Sequence, residues 1–202
     1  MPIAVVQYGI RTSCLSATVM IENEIDVLRD VTWRFESAGI SFMLTGSVAM
    51  NYYAQPRMTR DIDLVAQLDE PDTETVVSLF EPDYYLDRGA ISRAIARHSM
   101  FNLIHNSTII KVDCIVLKND AYRQQEFARR RQITIGDFPT WIVSREDLIL
   151  SKLYWAKDSR SEMQMRDVRG LLAAEHDSEY VRHWAGILGV EDLLKECAQP
   201  NE

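Results

Sequence analysis

Every short β-type run in this chain lies before residue 144, and from Ser144 to Cys197 the sequence carries only helical periods. A chain divided in this way is confined to the α/β (α+β) class, with an α/β front of about 140 residues and a helical back of about 60. The front reads as follows. Helical spacing covers Glu22 to Ser37, where Gly39 supplies a stop, and Ile40 to Leu44 is a short strand ending in Thr45-Gly46-Ser47. Val48 to Ala54 is helical until Pro56 breaks it. A second strand runs from Ile62 to Val65, followed by helices at Glu74 to Phe80 and Arg88 to Arg97. Met100 to Ile104 and Thr108 to Leu117 form a hairpin through His105-Asn106-Ser107. Ala121 to Arg130 is helical, and one or two short strands lie between Gln132 and Val143. In the back, Ser144 is an N-cap with Asp147 in the first turn. Helices are predicted over Arg145 to Lys157, Glu162 to Glu175, Ser178 to Leu188 and Val190 to Ala198. Residues 1 to 20 show no clear period and read as an N-terminal tail, so the expected division is 1–20, 21–143 and 144–202.

Composition removes several classes of function. With 47% apolar residues among 202, the chain can bury a core large enough to frame an active site. Its net charge of -8 gives no overall attraction to nucleic acid or to an anionic membrane, so a polyanionic substrate must be met by local positive charge. Cys14, Cys114 and Cys197 are odd in number and lack metal-ligand spacing, which argues against a disulfide framework or a zinc site and for a reducing, cytoplasmic setting. No apolar run reaches the roughly 18 residues of a membrane span, and Arg11 interrupts the only stretch resembling a signal sequence.

The chemistry is written in three carboxylates. Strand side chains alternate, so Asp61 and Asp63 project to one side while Ile62 and Leu64 point to the other. Left bare, such a pair repels itself and raises one pKa, a cost that a divalent cation removes. In the later strand, Ile110, Val112, Cys114 and Val116 form an apolar face, and Lys111 and Asp113 stand on the opposite one. If the two strands are neighbours, Asp113 completes an oxygen-rich site suited to Mg²⁺ or Mn²⁺. Gly46-Ser47, at a strand-to-helix turn, offers backbone N–H groups and a helix N-terminus to a phosphate. Singly, an Asp-x-Asp is most often a solvated turn and a Gly-Ser a simple cap; their combination is more specific.

The string GSVAMNYYAQPRMTRDIDL, with Gly46-Ser47, Arg57, Thr59 and Asp61-Ile62-Asp63, resembles the signature of the DNA polymerase β-type nucleotidyltransferase superfamily. Within it the likeness is to minimal bacterial members, including those of abortive-infection toxin-antitoxin systems. The resemblance spans about residues 40 to 170. It implies a small mixed β-sheet with flanking helices and a C-terminal helical bundle. It further implies that Gly46 and Ser47 hold nucleotide phosphates, that Asp61 and Asp63 bind the metal, and that Asp113 is the third carboxylate and helps activate the attacking hydroxyl. The Lys-x-Asp motif expected on the later strand matches Lys111 and Asp113, and the lysine and aspartate expected on the following helices match Lys152 and Asp167. Thirteen residues separate Ser47 from Asp61, more than in the aminoglycoside-modifying type, so the likeness supports the reaction class and not an antibiotic substrate.

Other residues carry two readings each. Lys152 sits in the stripe of Leu148, Ile149, Leu153 and Ala156, either snorkelling to water or aimed as a cation at a triphosphate. Asp167 is either its salt-bridge partner or a direct participant. Arg57 and Arg60 either neutralise phosphate or pair with Asp61, with Arg57 favoured because Pro56 fixes its loop. Tyr52 and Tyr53 read as core, Arg129-Arg130-Arg131 as a helix end with RNA contact the lesser reading, and the four histidines lack ligand spacing. The expected activity is transfer of a nucleoside monophosphate from an NTP, such as ATP, to an acceptor hydroxyl on an RNA 3′ end (for example tRNA), a protein or a small molecule. A cognate toxin or antitoxin is a candidate partner. The competing readings are a non-catalytic nucleotide- or partner-binding module, such as an antitoxin or regulatory subunit, and a purely structural salt-bridge network.

Overall fold

A computed structural model describes residues 23–54 and 61–199, so the N-terminal tail, Cys14, Arg57, Thr59 and Arg60 lie outside the described residues. The described residues begin with α1 (Glu24–Ser37), capped by the Asn23 side chain, which accepts from the backbone N–H groups of Ile25 and Asp26. Next come β1 (Phe42–Leu44), α2 (Gly46–Tyr53), β2 (Asp61–Ala66), α3 (Asp72–Phe80), β3 (Tyr84–Tyr85) and α4 (Arg88–Ala96). Then follow β4 (Met100–His105), β5 (Lys111–Val116), α5 (Ala121–Ala128), β6 (Arg131–Ile135) and β7 (Phe138–Ile142). Four helices finish the chain: α6 (Arg145–Ser159), α7 (Glu162–Leu172), α8 (Ser178–Leu188) and α9 (Glu191–Ala198). Sequence periodicity located all of these but β3, whose two residues are too few to show a period. The second helix starts two residues earlier than Val48 because Thr45 is already its extended N-cap residue.

The strands form one mixed sheet in the order β3-β4-β5-β2-β1-β7-β6. The hairpin expected across residues 105–107 is present as antiparallel β4 and β5. At the centre, β2 runs parallel to β5 and antiparallel to β1, while β1 meets β7 in parallel. On β2 and β5 one face carries Ile62, Leu64 and Ala66 with Val112, Cys114 and Val116, each 1% exposed or less. The opposite face carries Asp61, Asp63 and Val65 beside Lys111, Asp113 and Ile115, in the alternation the sequence called for.

Packing links this sheet to the terminal helices. Phe35 of α1 lies 5.9 Å from Phe42 of β1 and 5.3 Å from Phe80 of α3, ring centre to ring centre, filling one side of the sheet. Helix α6 is buried along Asp147 to Leu153, because α2, α7, α8 and α9 surround it. Its N-terminus is fixed by Ser144, whose hydroxyl accepts from the Asp147 N–H, and Tyr53 Oη donates to Val143 O at 2.8 Å. Asp147 itself is fully buried, accepting from Ser144 Oγ (2.5 Å), Tyr180 Oη (2.7 Å) and Arg129 Nε (3.1 Å). Arg129 therefore has a structural duty, and Arg130 lies over the rings of Phe127 and Trp141. Among the described residues, no helix is long and apolar enough to cross a membrane.

Candidate active site

The parallel register of β2 and β5 sets Asp61 opposite Lys111 and Asp63 opposite Asp113. Neighbouring strands lie about 5 Å apart, so two carboxylates meet on one face of the sheet. Asp113 is only 8% exposed, and Asn102, its register partner on β4, donates to its Oδ1. Lys111 places its ammonium 3.0 Å from Asp113 Oδ2 and 3.8 Å from Asp61 Oδ2, and the hydrogen bond to Asp113 raises the lysine pKa. Asp63 is pushed above the usual carboxylate range, chiefly by burial and next by the charge of Asp113, with Asp61 adding to the effect; a hydrogen bond from the Ser47 backbone and the charge of Lys111 oppose it.

The Gly46-Ser47 turn closes directly on this carboxylate. Gly46 has φ +60°, and a Cβ there would fall 2.6 Å from Cγ and 2.8 Å from Cβ of Asp63. Only glycine lets the start of α2 approach so closely while holding that backbone angle. Thr45 N donates to Asp63 O at 3.0 Å, which locks the turn to β2. Asp63 thus receives the Ser47 N–H at the α2 N-terminus, where a phosphate oxygen is also favoured.

A cleft of about 340 Å³ opens from this point between the sheet and α6. Of the residues singled out in the sequence, Gly46, Ser47, Asp63, Asp113 and Lys152 line it; Lys111, ion-paired with Asp113 and Asp61, and Asp167, ion-paired with Lys152, stand behind these residues and do not line the cleft. Lys152 does not snorkel. It is 4% exposed and donates to Asp167 Oδ2 at 2.8 Å and to Gln164 Oε1 at 3.2 Å, which fixes its ammonium at the cleft wall. Asp167 is its ion-pair partner, 3% exposed on α7.

The donor set fits a hard divalent cation: carboxylates side by side on adjacent strands, with a half-buried member, Asp63, whose charge is disfavoured by burial and by its acidic neighbours. Among the described residues no three acidic, histidine or cysteine side chains already converge around a common point. Asp61, at the first residue of β2, is the exposed member of the trio.

Several cleft residues carried no mark in the sequence reading. Arg123, Glu126 and Ser151 form a closed network: Arg123 Nη1 donates to Glu126 Oε2 (2.8 Å) and Ser151 Oγ (2.7 Å), and Ser151 Oγ donates to Glu126 Oε1 (2.6 Å). Burial raises the Glu126 pKa against the opposing charge of Arg123. The missed signal was a carboxylate four residues after Tyr122 on the buried stripe of α5, the same kind of anomaly that drew attention to Lys152. Trp155 and Met100, at the other end of the cleft, gave no comparable signal, since isolated exposed apolar residues are ordinary.

No protein-family profile matches the chain, and no curated protein matches it in sequence. Solved structures do. The chain is similar to an antigenic nucleotidyltransferase-like protein from Paracoccidioides brasiliensis, with TM-score 0.53 and 17% identity over 85% of this chain and 89% of the other. It is similar also to the lincosamide antibiotic adenylyltransferase LnuA in its lincomycin-bound form, with TM-score 0.52 and 15% identity over 75% and 98% of the two chains. This chain has a nucleotidyltransferase fold. A further similar structure is ANT(2")-Ia in complex with adenylyl-2"-tobramycin, at TM-score 0.50 and 14% identity over 86% and 95%. The nucleotidyltransferase fold here spans sheet and terminal helices together, because the cleft takes Asp63 and Asp113 from the former and Lys152 from the latter.

Proposed function

We propose that the protein is a metal-dependent nucleotidyltransferase, moving a nucleoside monophosphate from an NTP to an acceptor hydroxyl and releasing pyrophosphate. The observation that carries this reading is the Asp63–Asp113 register pair, closed over by the Gly46-Ser47 turn at the mouth of the cleft. Asp61, Asp63 and Asp113 would hold Mg²⁺ or Mn²⁺. Such an ion lowers the pKa of a bound hydroxyl and offsets charge on phosphate oxygens. The Gly46-Ser47 turn at the α2 N-terminus receives the nucleotide phosphates, and Asp113 orients the acceptor hydroxyl, whose oxygen forms the new bond to the α-phosphorus as the bond to pyrophosphate breaks. Lys152, steadied by Asp167, faces the negative charge that accumulates on the leaving pyrophosphate. Arg57, four residues before Asp61 in the sequence, Lys111 and Asp167 complete the proposed nucleotide-binding set.

ATP is the proposed donor, supported by the adenylyl chemistry named for two of the similar structures. An RNA 3′ end such as that of tRNA, a protein hydroxyl and a small-molecule hydroxyl are the acceptor classes this chemistry serves. One observation favours a non-catalytic binding module, such as an antitoxin or regulatory subunit: Lys111 already supplies Asp113 and Asp61 with a positive charge. Thermal unfolding with each NTP, with and without Mg²⁺ or Mn²⁺, separates the two. A metal-dependent rise in midpoint for an NTP, absent in Asp63→Asn, supports the transferase. No rise with any metal and NTP refutes it.

A further inference from the structure

The cleft changes character along the strands. In register, Asp63, Asp113 and Asn102 form one row across β2, β5 and β4, and Val65, Ile115 and Met100 form the next row on the same face. The acidic row meets the Gly46-Ser47 turn; the apolar row does not. Across the cleft, α6 contributes Lys152 and, about one turn further along the helix, Trp155. Trp155 is 68% exposed and Met100 52% exposed, so among the described residues two large apolar side chains border the same opening uncovered.

Most of the polar groups in this part of the cleft are already engaged. Arg123, Glu126 and Ser151 satisfy one another, and Gln164 accepts from Lys152. Apart from Lys118, the Gln164 amide N–H groups and the remaining Arg123 N–H groups, this end of the cleft presents faces and not hydrogen-bonding edges. A ligand seated here is held by stacking and apolar contact, which every nucleobase can supply through its π-face. We infer that the Val65–Ile115–Met100 row and Trp155 form the subsite for the nucleobase of the donor nucleotide, gripping its ring without reading its identity. This rests on the nucleotidyltransferase reading, which puts the triphosphate between the Gly46-Ser47 turn and Lys152 and leaves the base one helical turn away. The consequence is a transferase tolerant of all four bases, with donor preference graded by ring area.

The test compares binding of ATP, GTP, CTP and UTP with that of inorganic tripolyphosphate, each with Mg²⁺, by calorimetry on wild type, Trp155→Ala and Trp155→Phe. The expected result is that wild type binds every NTP about ten-fold more tightly than tripolyphosphate. Trp155→Ala brings the NTPs down to the tripolyphosphate level without changing tripolyphosphate itself, and Trp155→Phe retains most of the difference. Trp155 is exposed, so neither variant removes core packing. If Trp155→Ala binds NTPs as wild type does, or if wild type takes one base and rejects the others by 100-fold or more, the subsite is overturned while the nucleotidyltransferase reading stands. If wild type binds neither NTP nor tripolyphosphate, that reading fails and the subsite with it.

Discussion

Replacing Lys152 by methionine keeps an unbranched apolar stem of nearly the same length and removes the charge, so it isolates what the ammonium does. The lysine and Asp167 side chains are 6% and 4% exposed and meet at 2.8 Å, which places the pair among buried ion pairs. Removing the buried countercharge from one side of such a pair costs about 3–5 kcal/mol, far above the value of a surface pair. For a chain of this size each kcal/mol lowers the melting midpoint by roughly 2–4 °C, so Lys152→Met unfolds about 6–20 °C below wild type. Removing the second charge as well, in Lys152→Met/Asp167→Leu, restores more than half of that loss, because an apolar pair of similar volume is close to neutral in such a site. Calorimetry on wild type, both single variants and the double variant completes a double-mutant cycle. A cost below about 1 kcal/mol for Lys152→Met, or additivity of the two changes, refutes the assignment of a desolvated pair. The restored double variant also separates two roles of Lys152: it folds, yet without the Lys152 ammonium it is expected to transfer no nucleotide.

Three further outcomes are expected. Asp63 has a raised pKa in the fold, so its proton stabilises the protein below the ordinary value near 3.8 and that contribution is lost as pH rises through the raised one; without metal, Asp63→Asn therefore melts above wild type at about pH 7, and the two midpoints converge toward about pH 3. Gly46→Ala forces a side chain into a positive-φ position and against Asp63, lowering stability in urea titration by at least about 1 kcal/mol and abolishing stabilisation by metal and NTP; retention of that stabilisation contradicts the described closure of the turn. Asp147→Ala leaves Ser144, Tyr180 and Arg129 without their buried acceptor and costs about 3–5 kcal/mol by thermal unfolding, whereas a loss under about 1 kcal/mol places the carboxylate in contact with water.

The elements were legible because their signals are local. Ser144 announced α6, the alternation in residues 110–116 announced β5, and Gly39 ended α1. The carboxylate site was half legible: alternation shows that Asp61 and Asp63 share a face, but no local rule pairs β2 with β5 rather than another strand, and the Asp63–Asp113 partnership exists only through that pairing. Lys152 could be recognised as misplaced on its stripe, yet its partner lies on the next helix at a position whose spacing fits an exposed salt bridge equally well. Glu126 shows the limit from the other side. Its burial follows from packing of α5 under α6, where Ser151 and Arg123 converge on it from 25 residues downstream and three upstream.

The β2–β5 pairing also governs how the protein comes together in time. It joins residues fifty positions apart in parallel, so loop closure must be completed before the contact rewards it, and such contacts slow folding. The same event brings two like charges to adjacent positions, adding an electrostatic barrier to an entropic one. Refolding is therefore expected to speed up under mildly acidic conditions or in raised salt, while the isolated edge of β2, with Ile62 and Leu64 unpaired, is the surface on which slow molecules would associate.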